Sequence, residues 1–273
     1  MDDVCWQNIP DDRRSEAEAR LLQHLGQTHA FLFAIGQCVD NPHGSTILNR
    51  WSAAGHTIGN HTYSHRPLFT NISPGEFEAD ILRDENVLRG YSGFRKWFRF
   101  PALKEGQSRE LRDRFRSFLA RHNYRNGAVT IDASDWYYDQ RLNARLKIQR
   151  DFDVRLFRRP YLDHIWDRAQ YYDQLSRDVL GRSVPHTLLI HYNLLNSLFL
   201  GDLLAMFCSK GWGIIDAGEA FSDNVFTRQP DTAPAGESLI WALAKETGKF
   251  DARLRYPGED AGYEKPLLDR LGL

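Results

Sequence analysis

Cysteine is scarce in this chain of 273 residues, which carries only three. Cys5, Cys38 and Cys208 include no pair at the short spacing of a zinc-binding motif, so a metal site built from cysteines is excluded. An odd number of thiols cannot all pair within the chain. We expect free thiols, with one disulfide if the protein is exported, because oxidising compartments preserve disulfides.

The chain also lacks long apolar runs and a large excess of positive or negative charge. No stretch of about eighteen apolar residues occurs, which predicts no membrane span. The chain opens on Met1-Asp2-Asp3, so it shows no signal peptide as given. The formal net charge is -1, which argues against a polyanionic partner such as nucleic acid. A polar small molecule or a glycan is the better expectation.

Apolar and aromatic residues are plentiful by contrast. They make up 42% and 12% of the chain, which is enough to bury a sizeable core in one domain of barrel size or in two small ones. Most of the aromatic side chains are expected in that core, although some would suit stacking against sugar rings.

Short apolar runs alternate with amphipathic segments along the chain. The expected strands are 30–36, 55–60, 97–101, 127–132, 187–191 and 212–216, and the expected helices are 15–26, 45–55, 73–90, 108–122, 196–211 and 237–247. Ser15 with Glu18, and Ser73 with Glu76, have the spacing of capping boxes. Residues 137–186 are interpreted as inserted helices. This alternation predicts an α/β fold with a barrel-like parallel sheet.

A histidine pair stands where one of these strands ends. His61 and His65 are four residues apart, which would place both imidazoles on one side of a helical turn. Active sites of parallel α/β folds lie at the carboxyl ends of the strands. Because zinc-like ions usually take a third protein ligand and leave a position open for water, the chain is expected to supply an acid elsewhere.

Taken in order, five sequence elements resemble the motifs of the polysaccharide deacetylase, or NodB-like, family of carbohydrate esterases. They are Met1-Asp2-Asp3, His61-Thr62-Tyr63-Ser64-His65, Phe98-Arg99-Phe100-Pro101, Asp132-Ala133-Ser134-Asp135-Trp136 and Leu188-Leu189-Ile190-His191. The resemblance implies a deformed (β/α)7 barrel. It also implies hydrolysis of N- or O-acetyl groups on a carbohydrate by a metal-activated water, with an acetylated oligo- or polysaccharide as substrate.

The resemblance also implies a role for particular residues. Asp3, His61 and His65 would hold the metal, zinc or cobalt. The catalytic residues would be Asp2 as general base, Arg99 as its partner, His191 as general acid and Asp132 as the carboxylate that keeps His191 protonated. Trp136 and Leu188 would wall the acetyl pocket, and a backbone N–H near Phe100 and Pro101 would stabilise the oxyanion. Asp135 is a candidate helix cap.

One departure leaves alternatives open. The strand that precedes the acidic pair in the family is absent, so the first strand of the barrel is expected to be truncated and Asp3 poorly held. One alternative to the deacetylase is therefore a glycan-binding pseudoenzyme that has lost its metal, and an amide or cyclic-imide hydrolase on the same barrel is a second alternative. Residues 1–222 are expected to form the catalytic domain, with 223–273 packed on it. Export to the periplasm or beyond is expected for a full-length form.

Overall fold

The computed structural model describes residues 1–5, 9–255 and 261–273, and it shows an α/β fold. The helices are α1 (Arg14–Leu25), α2 (Gly36–Val39), α3 (Pro42–Ala53), α4 (Pro74–Leu88), α5 (Arg109–Arg121), α6 (Asp135–Ile148), α7 (Arg158–Leu180), α8 (Leu194–Ser209), α9 (Ala217–Ala220), α10 (Leu239–Thr247) and α11 (Lys265–Leu271). The strands are β1 (Phe31–Ala34), β2 (Thr57–Asn60), β3 (Phe94–Phe98), β4 (Lys104–Gly106), β5 (Arg125–Asn126) and β6 (Ala235–Gly236).

Four parallel strands form the centre of the fold, in the order β1-β2-β3-β5. β1 and β2 pair from Phe31 opposite Thr57 to Ala34 opposite Asn60. The middle of β1 is fully buried, as expected for a strand covered on both faces. Because the strands are parallel, their carboxyl ends open on one side of the sheet, and the loops that follow meet there.

Residues 127–132 continue from β5 and pair with residues 187–191. Ile131 forms a parallel bridge with Leu188, and the N–H of Leu189 donates to the carbonyl of Ile131 at 3.0 Å. The expected strand at 187–191 thus forms only isolated bridges, but it still lies beside residues 127–132, parallel to them.

Residues 1–4 occupy the gap between that segment and β1. Asp2 forms a parallel bridge with His191 on one side, and Val4 forms one with Ala34 on the other. The pairing therefore runs from β1 through the sheet and back to β1, as a deformed barrel requires. The expectation that the acidic pair is poorly held is wrong, since the segment that carries it is bonded along both sides.

The segment at 212–216, expected as a strand, forms no bridge within the described residues. Trp212 packs on Phe207 with ring centroids 5.4 Å apart. At its other end the carboxylate of Asp216 accepts the backbone N–H of His29 at 2.7 Å, while the N–H of Ala217 donates to the carbonyl of His29 at 2.9 Å. The backbone N–H of His29, which a strand ladder would have used, is therefore bound to the side chain of Asp216.

The predicted insertion at 137–186 is helical and contributes to the main core. α7 packs against α10, and apolar residues from both belong to one buried cluster with the central strands. The N-terminal cap of α10 contacts the sheet, where Ser238 donates its hydroxyl to the carbonyl of Thr130 at 2.8 Å. Residues beyond 222 thus share the core of the residues before them.

Helix starts follow the capping signals only in part. At α4 the capping box of Ser73 and Glu76 forms as predicted. At α1 it does not: the helix begins at Arg14, and Glu18 instead accepts a hydrogen bond from His43 at 2.8 Å. Tertiary contact outweighs the local signal there.

A disulfide joins Cys5 to Cys38, and Cys208 is free and exposed. This disulfide ties the segment of the acidic pair to α2. Each helix in the described part of the chain is too short or too polar to span a bilayer.

Candidate active site

The two histidines of the motif lie in a loop after β2, and the expectation of a helical turn is wrong. His61 follows β2 directly, and His65 ends the loop with a φ of 54°. Thr62 also has a positive φ, 65°, and its hydroxyl accepts the backbone N–H of His65 at 2.9 Å. This tight loop, rather than helical spacing, brings the two imidazole centroids to 4.8 Å.

Carboxylates from α4 anchor this loop. The N–H of His61 donates to Asp84 at 3.1 Å, and both the N–H and the hydroxyl of Ser64 donate to Asp80, at 3.0 and 2.7 Å. Asp84 is fully buried, and burial raises the pKa of its carboxyl well above the usual range. The loop conformation is therefore set by hydrogen bonds from a neighbouring helix.

Both imidazoles direct Nε2 at one oxygen of Asp3. The distances to Asp3 Oδ1 are 3.2 Å from His61 and 3.0 Å from His65. Nδ1 of His61 lies 2.7 Å from the carbonyl oxygen of Arg99, a contact in which the ring nitrogen must be the donor. In the neutral ring this leaves the lone pair on Nε2, facing Asp3.

The atoms of this triad fit a divalent cation. Asp3 Oδ1 is buried and has no hydrogen-bond partner among the described residues, although the two ring nitrogens are close. The lone pair of His61 Nε2 and the carboxylate oxygen of Asp3 face one another at 3.2 Å and repel unless a cation or a proton lies between them. Ligands of a tetrahedral zinc lie about 3.3 Å apart at the usual bond lengths. Asp3, His61 and His65, the predicted ligands, are therefore brought together.

Three of the seven described residues other than glycine that have a positive φ lie at this site. Asp3, Thr62 and His65 have φ values of 53°, 65° and 54°, a region that side chains other than glycine rarely adopt. Such a conformation costs about 1–3 kcal/mol per residue and persists where the surroundings enforce it. Its occurrence at two of the candidate ligands indicates a functional geometry.

Asp2 and Arg99 form a buried ion pair beside the triad, as predicted. Nη1 of Arg99 lies 2.9 Å from both carboxylate oxygens of Asp2, and its guanidinium lies over the ring of Phe33. Burial alone would raise the pKa of Asp2, but the charge of Arg99 brings it below the usual value. Asp2 is therefore ionised, and its Oδ2 lies 3.9 Å from Nε2 of His61.

His191 is paired with Asp135, and the expectation that Asp132 is its partner is wrong. Nδ1 of His191 lies 2.7 Å from Asp135 Oδ1, and the N–H of His191 donates to Oδ2 at 2.8 Å. Asp135 begins α6 and therefore points back at the end of segment 187–191, whereas Asp132 is still within its own strand segment. Burial opposes protonation, yet Asp135 raises the pKa of His191 to about 10.

Asp135 is fixed by more than His191. The amides of Asn193 and Asn196 donate to its Oδ2 at 3.2 and 2.7 Å. One turn along α6, Asp139 accepts the N–H of Leu195 at 2.9 Å, and burial raises its pKa to about 7. These bonds hold the start of α8 against α6 and orient the carboxylate that faces the imidazole.

A cavity of about 930 Å³ opens on Asp3 and His191 and is walled by Trp136 and further residues of α6. Leu188, expected beside Trp136, lines a separate cavity that Trp136 does not reach. Phe100 is 2% exposed and stacks in parallel on Phe77. Of the four expected substrate-binding residues, including the buried Pro101, only Trp136 lines this cavity.

Sequence reasoning interpreted Asp135 only as a candidate helix cap, whereas Ser134 is the cap residue and Asp135 the first residue of α6, and it missed Asp139 altogether. Their signal is present: two acids four residues apart at the start of a helix share one face and point towards the preceding strand end. It also missed Asp84, which no local pattern distinguishes from an exposed helical acid.

Comparison with known proteins connects this site to a family. The model of the polysaccharide deacetylase family matches residues 8–126, a range that contains His61, His65 and Arg99. A peptidoglycan-N-acetylglucosamine deacetylase of Bacillus cereus is 27% identical over 117 residues, which are 43% of this chain and 39% of that protein. The chain thus matches less than half the length of this relative.

Solved structures share the fold. The peptidoglycan deacetylase PdaC from Bacillus subtilis is 21% identical, covers 81% of this chain and 87% of its own, and has a TM-score of 0.51. A CE4 family pseudoenzyme from Bacillus anthracis is 17% identical, with 80% and 62% covered and a TM-score of 0.53. The NodB-like fold expected from the motifs is confirmed.

Proposed function

We propose that this chain is a member of the polysaccharide deacetylase family, whose model matches residues 8–126, and a metal-dependent hydrolase that removes acetyl groups from a carbohydrate. One observation carries the proposal. The Asp3, His61 and His65 triad lies beside two tuned groups of opposite role, an ionised Asp2 and a protonated His191, and Asp3 and His191 line one groove.

The triad would hold a divalent cation, with zinc the best fit to two imidazoles and a carboxylate and cobalt an alternative. Such a cation would polarise the acetyl carbonyl and lower the pKa of a water. Arg99 fixes His61 through its backbone carbonyl and Asp2 through its side chain. One residue therefore positions a metal ligand and the general base together.

Asp2 takes a proton from the attacking water. Its carboxylate is buried and ionised, and Oδ2 lies 3.9 Å from Nε2 of His61, the ring nitrogen that faces Asp3. Arg99 keeps the carboxylate charged and prevents it from rotating. As the water oxygen bonds to the acetyl carbon, the proton passes to Asp2.

His191 donates a proton to the leaving atom. Hydrolysis of an N-acetyl group breaks the bond between carbon and nitrogen, and the departing amine needs a proton to leave. Asp135 keeps the imidazole protonated through neutral pH and orients it through Nδ1, so that Nε2 is free to donate. Trp136 would lie beside the acetyl methyl.

The substrate is proposed to be an N-acetylated glycan of the bacterial cell wall. The support is the name of the Bacillus cereus relative, a peptidoglycan-N-acetylglucosamine deacetylase. We further propose that the protein acts outside the cytoplasm, where the Cys5–Cys38 disulfide would persist.

Metal content and acetate release test the proposal together. Elemental analysis of the purified chain should find about one divalent cation per molecule, and the double variant His61→Ala, His65→Ala should lose it. The wild type should release acetate from N-acetylglucosamine oligomers. The matched control His24→Ala, His122→Ala removes two histidines outside the triad and should keep both properties.

Other outcomes would contradict the proposal in different ways. Metal bound without acetate release, but with retained binding of the oligomers, would indicate a glycan-binding pseudoenzyme. Release of ammonia or opening of a cyclic imide without acetate would indicate a different hydrolase on the same fold.

A further inference from the structure

The groove that opens on Asp3 and His191 continues far beyond the space an acetyl group needs. Its volume of about 930 Å³ lies at the upper end of the range of small-molecule sites. One wall is a single face of α6, on which Trp136, Gln140, Asn143 and Lys147 follow at helical spacing. From the first to the last of these the helix rises about 16 Å, a length that suits several linked sugar rings.

The charges along this groove are not evenly distributed. At the end near the triad, Asp3 belongs to the candidate metal site and Asp139 is buried against the backbone of Leu195. The far end is lined by Arg13, Lys147 and Arg150.

The positive charge at the far end is only partly compensated. Arg150 pairs with Asp12 at 2.8 Å, which neutralises both. Within the described part of the chain, neither Arg13 nor Lys147 lies within ion-pair distance of a carboxylate. The far end of the groove is therefore a cationic subsite, separated from the metal triad by one helix length.

We infer that Arg13 and Lys147 select an acetylated glycan that carries negative charge, a carboxylate on a sugar some residues away from the acetyl group that is removed. This inference rests on the proposed function for the position of the reacting acetyl group. It names a specificity subsite that the family motifs do not contain, since both residues lie outside the motifs. Selection acts through charge attraction at a partly exposed surface and is screened by salt.

Two glycans of equal length test the inference. One is a neutral tetramer of N-acetylglucosamine, and the other is a tetramer in which N-acetylglucosamine alternates with carboxylate-bearing N-acetylmuramic acid. At low ionic strength kcat/KM should be about tenfold higher for the charged tetramer, the effect of two exposed ion pairs. The preference should shrink at 0.5 M salt.

The double variant Arg13→Gln, Lys147→Gln should lose this preference and keep the wild-type rate on the neutral tetramer. The control Arg145→Gln, Lys249→Gln removes the same charges, one from the same helix, at positions that do not line the groove. It should behave as the wild type. Equal rates on both tetramers in the wild type, or a preference that survives in the groove variant, would overturn the inference.

Binding of both tetramers by calorimetry separates this inference from the proposed function. Tighter binding of the charged tetramer, lost in the groove variant but without acetate release from either glycan, would uphold the subsite and refute the deacetylase. Acetate release with equal binding of both tetramers would refute the subsite and uphold the deacetylase.

Discussion

At the scale of single residues, the partner of His191 decides how the site depends on pH. Asp135 raises the pKa of His191 to about 10, so the imidazole is protonated at neutral pH and able to donate. In Asp135→Asn the pKa should fall towards the ordinary 6.5, and about 1% of the imidazole would be protonated at pH 8.5. We expect kcat/KM at that pH to drop roughly 100-fold, with the alkaline limb of the profile moved to lower pH.

Asp132→Asn is the comparison that distinguishes the two candidate partners. It keeps the contact of 2.7 Å between His191 and Asp135, so the alkaline limb should stay where it is in the wild type. A limb that moves in Asp132→Asn and not in Asp135→Asn would return the role to Asp132. Thermal melts of both variants establish that each is folded.

The Asp2–Arg99 pair makes a second residue-scale prediction. Both side chains are at most 5% exposed, so Arg99→Leu leaves a buried carboxylate without its counter-charge. We expect a loss of about 3–5 kcal/mol in the free energy of unfolding at pH 7, measured by urea denaturation. Since burial then raises the pKa of Asp2, the variant should regain part of this loss at acid pH, where the carboxyl is protonated.

Arg95→Leu is the matched control, because Arg95 is exposed on β3, the strand that ends just before Arg99. It should change stability by about 0.5 kcal/mol or less. An equal loss in both variants, or a loss in Arg99→Leu that does not depend on pH, would show that the charge of Asp2 is not the cause.

The candidate ligands could be predicted from sequence because their chemistry is local. His61 and His65 stand in one short motif after a strand, and the acid that completes the triad was found by resemblance. The short motif alone could not assign the role of Asp135, and the spacing of Asp135 and Asp139 becomes informative only once the start of the helix is known. Whether Asp132 or Asp135 contacts His191 depends on where the helix begins relative to the strand end. An apolar run alone does not determine where a strand ends.

At the scale of elements, the disulfide is the covalent tie between the acidic segment and α2. Cys5 lies two residues after Asp3, and its partner Cys38 closes a loop with a sequence separation of 33. The chain-entropy relation gives about 4 kcal/mol for a loop of this size. We expect Cys5→Ala to lower the free energy of unfolding by that order and to weaken metal binding, because the segment of Asp3 then keeps its backbone hydrogen bonds but loses its covalent constraint.

Urea denaturation and metal titration, each with and without a reductant, check this prediction. Reductant should weaken the wild type and leave Cys5→Ala unchanged, while Cys208→Ala, which removes the free thiol, should match the wild type. Full stability in reduced wild type would show that the contacts around α2 hold the segment without the bond.

Elements were predicted well where a signal was self-contained and poorly where a neighbour competed. Ser73 starts α4 with a capping box that needs no other part of the chain. Residues 212–216 have the apolar pattern of a strand, but Asp216 takes the N–H of His29 and the ladder does not form. Sequence patterns report what a segment prefers, and such tertiary hydrogen bonds decide which preference is realised.

At the scale of the whole molecule, the residues after 222 bear on whether the rest of the chain folds. Leu239, Ile240, Leu243, Leu268 and Leu273 are at most 6% exposed and belong to the main core cluster. Each such side chain contributes about 1.5–3 kcal/mol by its burial, so their sum of roughly 10 kcal/mol is comparable to the stability of an entire domain.

We therefore expect the fragment 1–222 to be unfolded or aggregated, while the full chain unfolds in one cooperative transition. Far-UV circular dichroism, urea denaturation and limited proteolysis of both proteins measure this. A fragment 1–250 keeps α10 and loses only the last two of these side chains, so it should be folded but less stable. If 1–222 shows the same transition as the full chain, the C-terminal residues only cover a domain that is already complete, and the burial of α10 against α7 contributes little to folding.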